Sequence, residues 1–200
     1  MTEYSPLFIS HGAPTLLVED SPAREYLSGL GKQFGKPKAI LVISAHHHSR
    51  GDSVAVTSNA TPETIYDFSG FPDELYQISY AAPGDPKLSI QIIDRLKQAG
   101  FAAVADTNRG FDHGAWVPLH LMYPEADIPV LQISINMRKS PQWHYDLGRA
   151  LAPLRRQGIL IIGSGGATHN LREFFKGGYQ LDAESPVWVT TFADWLSDRI

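Results

Sequence analysis

Ala39-Ile40-Leu41-Val42-Ile43-Ser44-Ala45-His46 sets the fold class of this chain. Five consecutive apolar residues, with no polar alternate among them, predict a strand covered on both faces, as in parallel sheets. Strands with one wet face alternate instead. Outward from this stretch, Leu7-Phe8-Ile9, Pro129 to Ile135 and Ile159-Leu160-Ile161-Ile162 read the same way. Ser53 to Thr57 alternates, and Ala102 to Ala105 is a shorter strand. Helical patterns lie between them. Ser21-Pro22 and Asp85-Pro86 each pair an N-cap with proline in the first turn, opening helices to about Phe34 and to Gly100. Leu147, Leu151 and Leu154 mark a helix over Pro141 to Gln157, with Pro153 as a kink and Gly158 as its stop. A last helix from Ser185-Pro186 presents Val189, Phe192, Ala193, Leu196 and Ile200 on one face. Residues 58–84, rich in Pro, Gly and Tyr, read as a long ordered loop. Strand–helix alternation predicts an α/β fold: three αβα layers around a central, mainly parallel sheet. No repeat or linker interrupts it, so 1–200 reads as a single domain.

Composition narrows the chemistry. Two hundred residues, 43% hydrophobic and 19% charged, are ordinary for one folded domain. A net charge of -4 offers no basic face for nucleic acid. No apolar run nears the roughly 20 residues of a membrane helix. Met1 to Ile9 lacks the basic start of a signal peptide, so a cytoplasmic chain is expected. There is no cysteine, which excludes disulfides, thiolate nucleophiles and cysteine-held zinc or iron–sulfur sites. A metal would have to use His, Asp, Glu or water.

The eight histidines are the informative residues. Ligands of open parallel sheets bind beyond the carboxyl ends of the strands. His11 follows the first strand, His46 the second, and His113 lies in the loop after Ala102 to Thr107. His169 lies in the loop after Ile159 to Ile162. All four are expected at one sheet edge. Imidazole is both the commonest protein metal ligand and an acid–base group near neutrality. Of His46-His47-His48 only alternate members can share a site, and His120 and His144 fall in helical patterns and read as structural. Gly163-Ser164-Gly165-Gly166, before a short helix at Asn170 to Phe175, reads as an anion nest. It is not a nucleophile elbow, because Ile162 stands where the first glycine is needed. Rossmann and P-loop patterns are absent. Asp67 and Asp73 look like an ordinary loop pair.

Five pieces, in order along the chain, carry a family resemblance. They are Phe8-Ile9-Ser10-His11-Gly12-Ala13-Pro14, Val42 to His46, and Tyr66-Asp67-Phe68-Ser69-Gly70-Phe71-Pro72, followed by Arg109 to Leu119 and Gly163 to Leu171. Together they resemble the LigB-type (class III) extradiol ring-cleavage dioxygenases, in the DOPA 4,5-dioxygenase branch. The resemblance implies a catalytic domain with one divalent metal, Fe2+ for turnover or Zn2+ as bound, acting on a DOPA-like catechol with O2. It implies His11 and His46 as metal-binding histidines, His169 as a third ligand or acid–base group, and His113 as a catalytic histidine facing substrate. Asp67, Phe71, Arg109 and Asp112 would line the substrate, with Phe68 and Tyr76 walling the site. A two-His site with open positions suits non-haem iron oxygenases. A zinc hydrolase on the same scaffold, or a non-catalytic metal-binding protein, are the alternatives. Two departures bear on substrate identity: His47 stands where the branch carries an aromatic residue, and Ser69 where the loop often has Tyr. The branch pattern also runs past the last helix here and adds one more metal ligand. Ending in mid-helix at Ile200, the sequence reads as truncated, with that ligand beyond Ile200, weakened metal affinity and an apolar face open to self-association.

Overall fold

The computed structural model describes residues 3–49, 51–177 and 183–199. The chain divides into two units, Met1–Gly165 and Gly166–Ile200. The first is built on six strands: β1 Leu7–Ser10, β2 Ala39–His48, β3 Val54–Thr57, β4 Ala103–Asp106, β5 Val130–Ile135 and β6 Ile159–Gly165. They lie in the order β1-β6-β2-β5-β3-β4. Neighbours run parallel except β3 against β5, which meet antiparallel at Val56 and Ile133.

Both faces of β2 are covered, as its unbroken apolar run predicts. Ile40 and Val42 join Val130, Leu160 and Ile162 in one core with residues of α1 (Pro22–Phe34) and α3 (His113–Met122). Leu41 faces the other way, with Leu131, Ile133, Ile159 and Ile161, against α2 (Pro86–Gln98) and α4 (Pro141–Leu151). The period of two assigns alternate residues to the two helical layers. Helix starts follow the cap logic: Ser21, Asp85 and Ser140 accept the backbone N–H of Arg24, Leu88 and Trp143, each with proline next. Such caps are worth about 1 kcal/mol apiece. Proline also explains the end of α4. The helix stops at Leu151 and Ala152–Gln157 tightens into a 3-10 turn, because Pro153 cannot donate to the helical ladder.

Three local expectations change. β2 does not stop before His46 but runs on to His48, so His46 is a strand residue. His113 is not in a loop; it is the first residue of α3. Residues 113–119 of α3 are all buried, so no amphipathic stripe marks the helix, and Pro118 sits inside it. Gly163, Ser164 and Gly165 form no nest. They extend β6, paired with Phe8, Ile9 and Ser10. At Gly31 a Cβ would stand 1.9 Å from the Met122 carbonyl oxygen, so the close approach of α1 to the end of α3 requires glycine there.

The second unit contains α5 (Leu171–Gly177) and α6 (Val187–Ser197). The Trp188 indole N–H donates to Glu173 at 2.8 Å, and Phe192 stacks on Trp195. Ile200, expected on the face of the last helix, lies outside the described residues. Among the described residues no helix is long and apolar enough to cross a membrane.

Candidate metal centre

Three strand ends and one helix start build the centre at the carboxyl edge of the first unit. His11 follows β1, tied by its backbone N–H to the Gly165 carbonyl at 3.2 Å. His46 lies where the register of β2 against β5 shifts between Ile43 and His48. The regular pairing is broken there, and such irregularities re-aim side chains next to sites. His113 opens α3. One ring nitrogen from each histidine lies within 4.8 Å of the others. The ring centroids of His46 and His113 are 4.0 Å apart, and those of His11 and His113 5.2 Å apart.

The Nε2 atoms of His11 and His46 stand 3.1 Å apart. Two imidazole nitrogens at that distance repel unless a proton or a cation lies between them. Neutral imidazoles with no thiolate nearby suit a borderline divalent ion such as iron or zinc. The residues present therefore fit a metal.

Asp67 serves two of the rings. Its Oδ1 accepts both the Nδ1–H and the backbone N–H of His113, each at 2.9 Å, and its Oδ2 lies 3.8 Å from Nδ1 of His46. A carboxylate can only accept, so His113 carries its proton on Nδ1 and keeps Nε2 as an acceptor. Asp67 also sits at the N-terminus of α3, where negative charge is favoured. Burial opposes its ionisation, but the hydrogen bonds from His113 outweigh it and hold the carboxyl below its usual range.

Beneath the histidines lies a buried polar network. Asp112 is fully buried. It accepts from the Ser44 hydroxyl at 2.6 Å, and from Arg109 and the Gln132 amide at 2.8 Å each. Arg109 also donates to the His46 carbonyl at 3.0 Å, and the Ser44 hydroxyl oxygen accepts the His46 backbone N–H at 3.1 Å. Both of these contacts to the His46 backbone thus lead back to Asp112. Gly114 fits against this network only because it has no side chain: a Cβ would lie 2.5 Å from Ser44 Oγ and 3.1 Å from the His46 ring. His47 is buried, outside the triad, and its pKa is lowered to about 4, by burial first and the Arg109 charge second.

The loop between β3 and α2 supplies one wall. The Phe68 ring meets His113 edge-on at 6.0 Å and packs against Phe71 at 5.4 Å and Tyr76 at 5.1 Å. The Trp116 indole N–H anchors the loop by donating to the Ile65 carbonyl. Such faces take planar ligands.

The structure therefore gathers His11, His46 and His113, with Asp67 touching two of them and Phe71 reaching the centre through Phe68. Arg109 and Asp112 lie behind the histidines. His169 belongs to the second unit, beside Gly166. Sequence reasoning passed over Ser44, Gln132 and Ser164 as supports. Their one signal was a polar residue inside, or directly after, an apolar strand run.

A mainly parallel α/β sheet gathering imidazoles at its carboxyl edge, beside an aromatic wall and without cysteine, fits one class: enzymes that hold a metal on histidines. Residues 6–199 match the family described as the catalytic LigB subunit of aromatic ring-opening dioxygenase, and the chain belongs to that family of metal-dependent extradiol dioxygenases. The 4,5-DOPA dioxygenase extradiol of Beta vulgaris is 49% identical over 197 residues, covering 96% of this chain and 71% of that protein. That of Escherichia coli K12 is 41% identical over 200 residues, covering 100% of this chain and 71% of the relative. The crystal structure of an uncharacterized protein from Escherichia coli K12 superposes with a TM-score of 0.76 at 36% identity, over 96% of this chain and 71% of that one.

Proposed function

We propose that the chain opens the ring of a DOPA-like catechol by 4,5-extradiol cleavage, using Fe2+. The observation that carries this is the convergence of His11, His46 and His113 beside Phe68 and Phe71. The names of the relatives support the substrate class.

His11 and His46 would hold the metal, with His169 as a further ligand or acid–base group by family resemblance. A ferrous ion held there would supply open positions for catechol oxygens and the redox chemistry that O2 requires. The remaining chemistry belongs to the protein. Nε2 of His113, the acceptor nitrogen of the tautomer that Asp67 fixes at Nδ1, accepts a catechol proton and later returns it. Asp67 orients His113 and His46 and lies at the substrate's edge. Phe68 and Phe71 stack the ring and exclude water. Asp112, wholly enclosed, acts through Ser44 and Arg109 on His46, while the part-exposed Arg109 remains a candidate to line the substrate. Residues 1–200 serve as a single catalytic domain, a reading supported by the family match across residues 6–199.

The test is anaerobic reconstitution with Fe2+, then addition of a catechol panel including DOPA. O2 uptake with a yellow ring-opened product is expected. A protein that binds Zn2+ well but consumes no O2 with any catechol overturns the proposal.

A further inference from the structure

Ser164, between two glycines, is a strand residue that serves a histidine instead of an anion. It sits in β6 beside Ile9 of β1 and Ser44 of β2, 3% exposed. Its oxygen lies 2.9 Å from Nδ1 of His11 and 2.5 Å from the Gly114 carbonyl oxygen. A hydroxyl has a single proton to donate, and a carbonyl oxygen can only accept. The Ser164 proton therefore points to Gly114, and the oxygen must accept from His11. His11 then carries its proton on Nδ1, leaving Nε2 as the acceptor nitrogen.

We infer that Ser164 is a positioning residue: through the Gly114 carbonyl it sets the His11 tautomer that turns Nε2 toward the metal. The same hydroxyl links β1 to the first turn of α3, so His11 and His113 are placed by one contact chain. Gly114 is the residue after His113, and its carbonyl is where the Ser164 proton ends. Groups that orient a metal-binding histidine from its far nitrogen typically change metal affinity by about 10–100-fold when removed.

The inference rests on His11 holding the metal, and the two can fail separately. Long-range 1H–15N spectra of the metal-free protein, at about pH 8 where an ordinary histidine is neutral, report the tautomer directly. Wild type is expected to show His11 protonated on Nδ1. Ser164→Ala should shift the ring toward a mixture of tautomers and weaken Zn2+ binding by about 10–100-fold. Ser164→Thr, which restores a hydroxyl on a strand, should recover both. A wild-type His11 protonated on Nε2 overturns the inference, and so does a Ser164→Ala protein with unchanged tautomer and Zn2+ affinity. If Ser164→Ala does not fold, the wild-type spectrum and Ser164→Thr decide. Undiminished Zn2+ binding by His11→Ala would instead refute the metal assignment and leave the tautomer result standing.

Discussion

Gly114→Ala probes the centre with a single methyl group. The added Cβ would lie 2.5 Å from Ser44 Oγ, 3.1 Å from His46 Cδ2 and 3.2 Å from Asp112 Oδ1. The chain has two ways to relieve the clash. Ser44 can rotate, but its hydroxyl then leaves buried Asp112 and the His46 N–H, at about 1–3 kcal/mol for groups left unsatisfied. Alternatively α3 can shift outward, which moves His113 from the other two rings and strains the packing of Trp116. Overpacking of this kind costs about 1–3 kcal/mol. For a chain of this length 1 kcal/mol corresponds to about 2–4 °C, so Tm should fall by roughly 2–12 °C. Zn2+ affinity should fall by roughly tenfold, because both escapes disturb a ring. Calorimetry and competition with a chelating dye measure the two quantities. A double-mutant cycle sharpens the test. Ser44→Ala removes the nearest atom, so Gly114→Ala should cost clearly less in that background. If the two effects simply add, or if Gly114→Ala melts and binds metal like wild type, the crowding argument is wrong.

Other outcomes follow from the same geometry. His11→Ala and His46→Ala should abolish metal binding, whereas His113→Ala should keep the metal and lose about 10²–10⁴-fold in turnover; metal analysis showing His113→Ala equally empty would make His113 a ligand instead. Phe71→Ala should change the ratio of rates for small and bulky catechols, because Phe71 backs Phe68 at 5.4 Å; an unchanged ratio removes this loop as the selector. Burial raises the Tyr80 phenol far above its ordinary value, so the folded state holds that proton where the unfolded chain releases it. This stability is complete below about pH 10 and is lost as pH rises from there toward the raised folded value. Denaturant titrations of wild type and Tyr80→Phe on either side of about pH 10 should show a shallower alkaline loss in the variant.

The layers of the fold were legible because they depend on apolar burial, which the sequence displays openly. Ile40 to Val42 and Leu160 to Ile162 could hardly be anything but central strands. The site was half legible. His11 and His46 stood at strand ends, where binding residues are expected. What stayed hidden was polar structure serving other polar structure. Ser44 to His48 carry no hydrophobic pattern, because Ser44 turns to the Asp112 network, His46 to the centre and His48 to solvent. Hydropathy therefore ends β2 several residues early. His113 looked like a loop residue because α3 is enclosed on all sides and contains Pro118. Asp67 looked like any loop aspartate, since its partner is 46 residues away in sequence. Ser164, flanked by glycines, imitated a turn, and only its pairing with Ile9 and Ser44 reveals a strand.

The strip from Tyr66 to Phe71 has a practical consequence for anyone who wishes to redirect this protein. Phe68, which shapes the space for the ring, is the immediate neighbour of Asp67, which aims His113. Enlarging the space by altering the strip will tilt the carboxylate as well, so selectivity and rate will move together in most single variants. Libraries confined to these six positions should yield many proteins that accept new molecules slowly. Improvement in both respects should need a paired change around Ile65 and Trp116, where the loop is tethered.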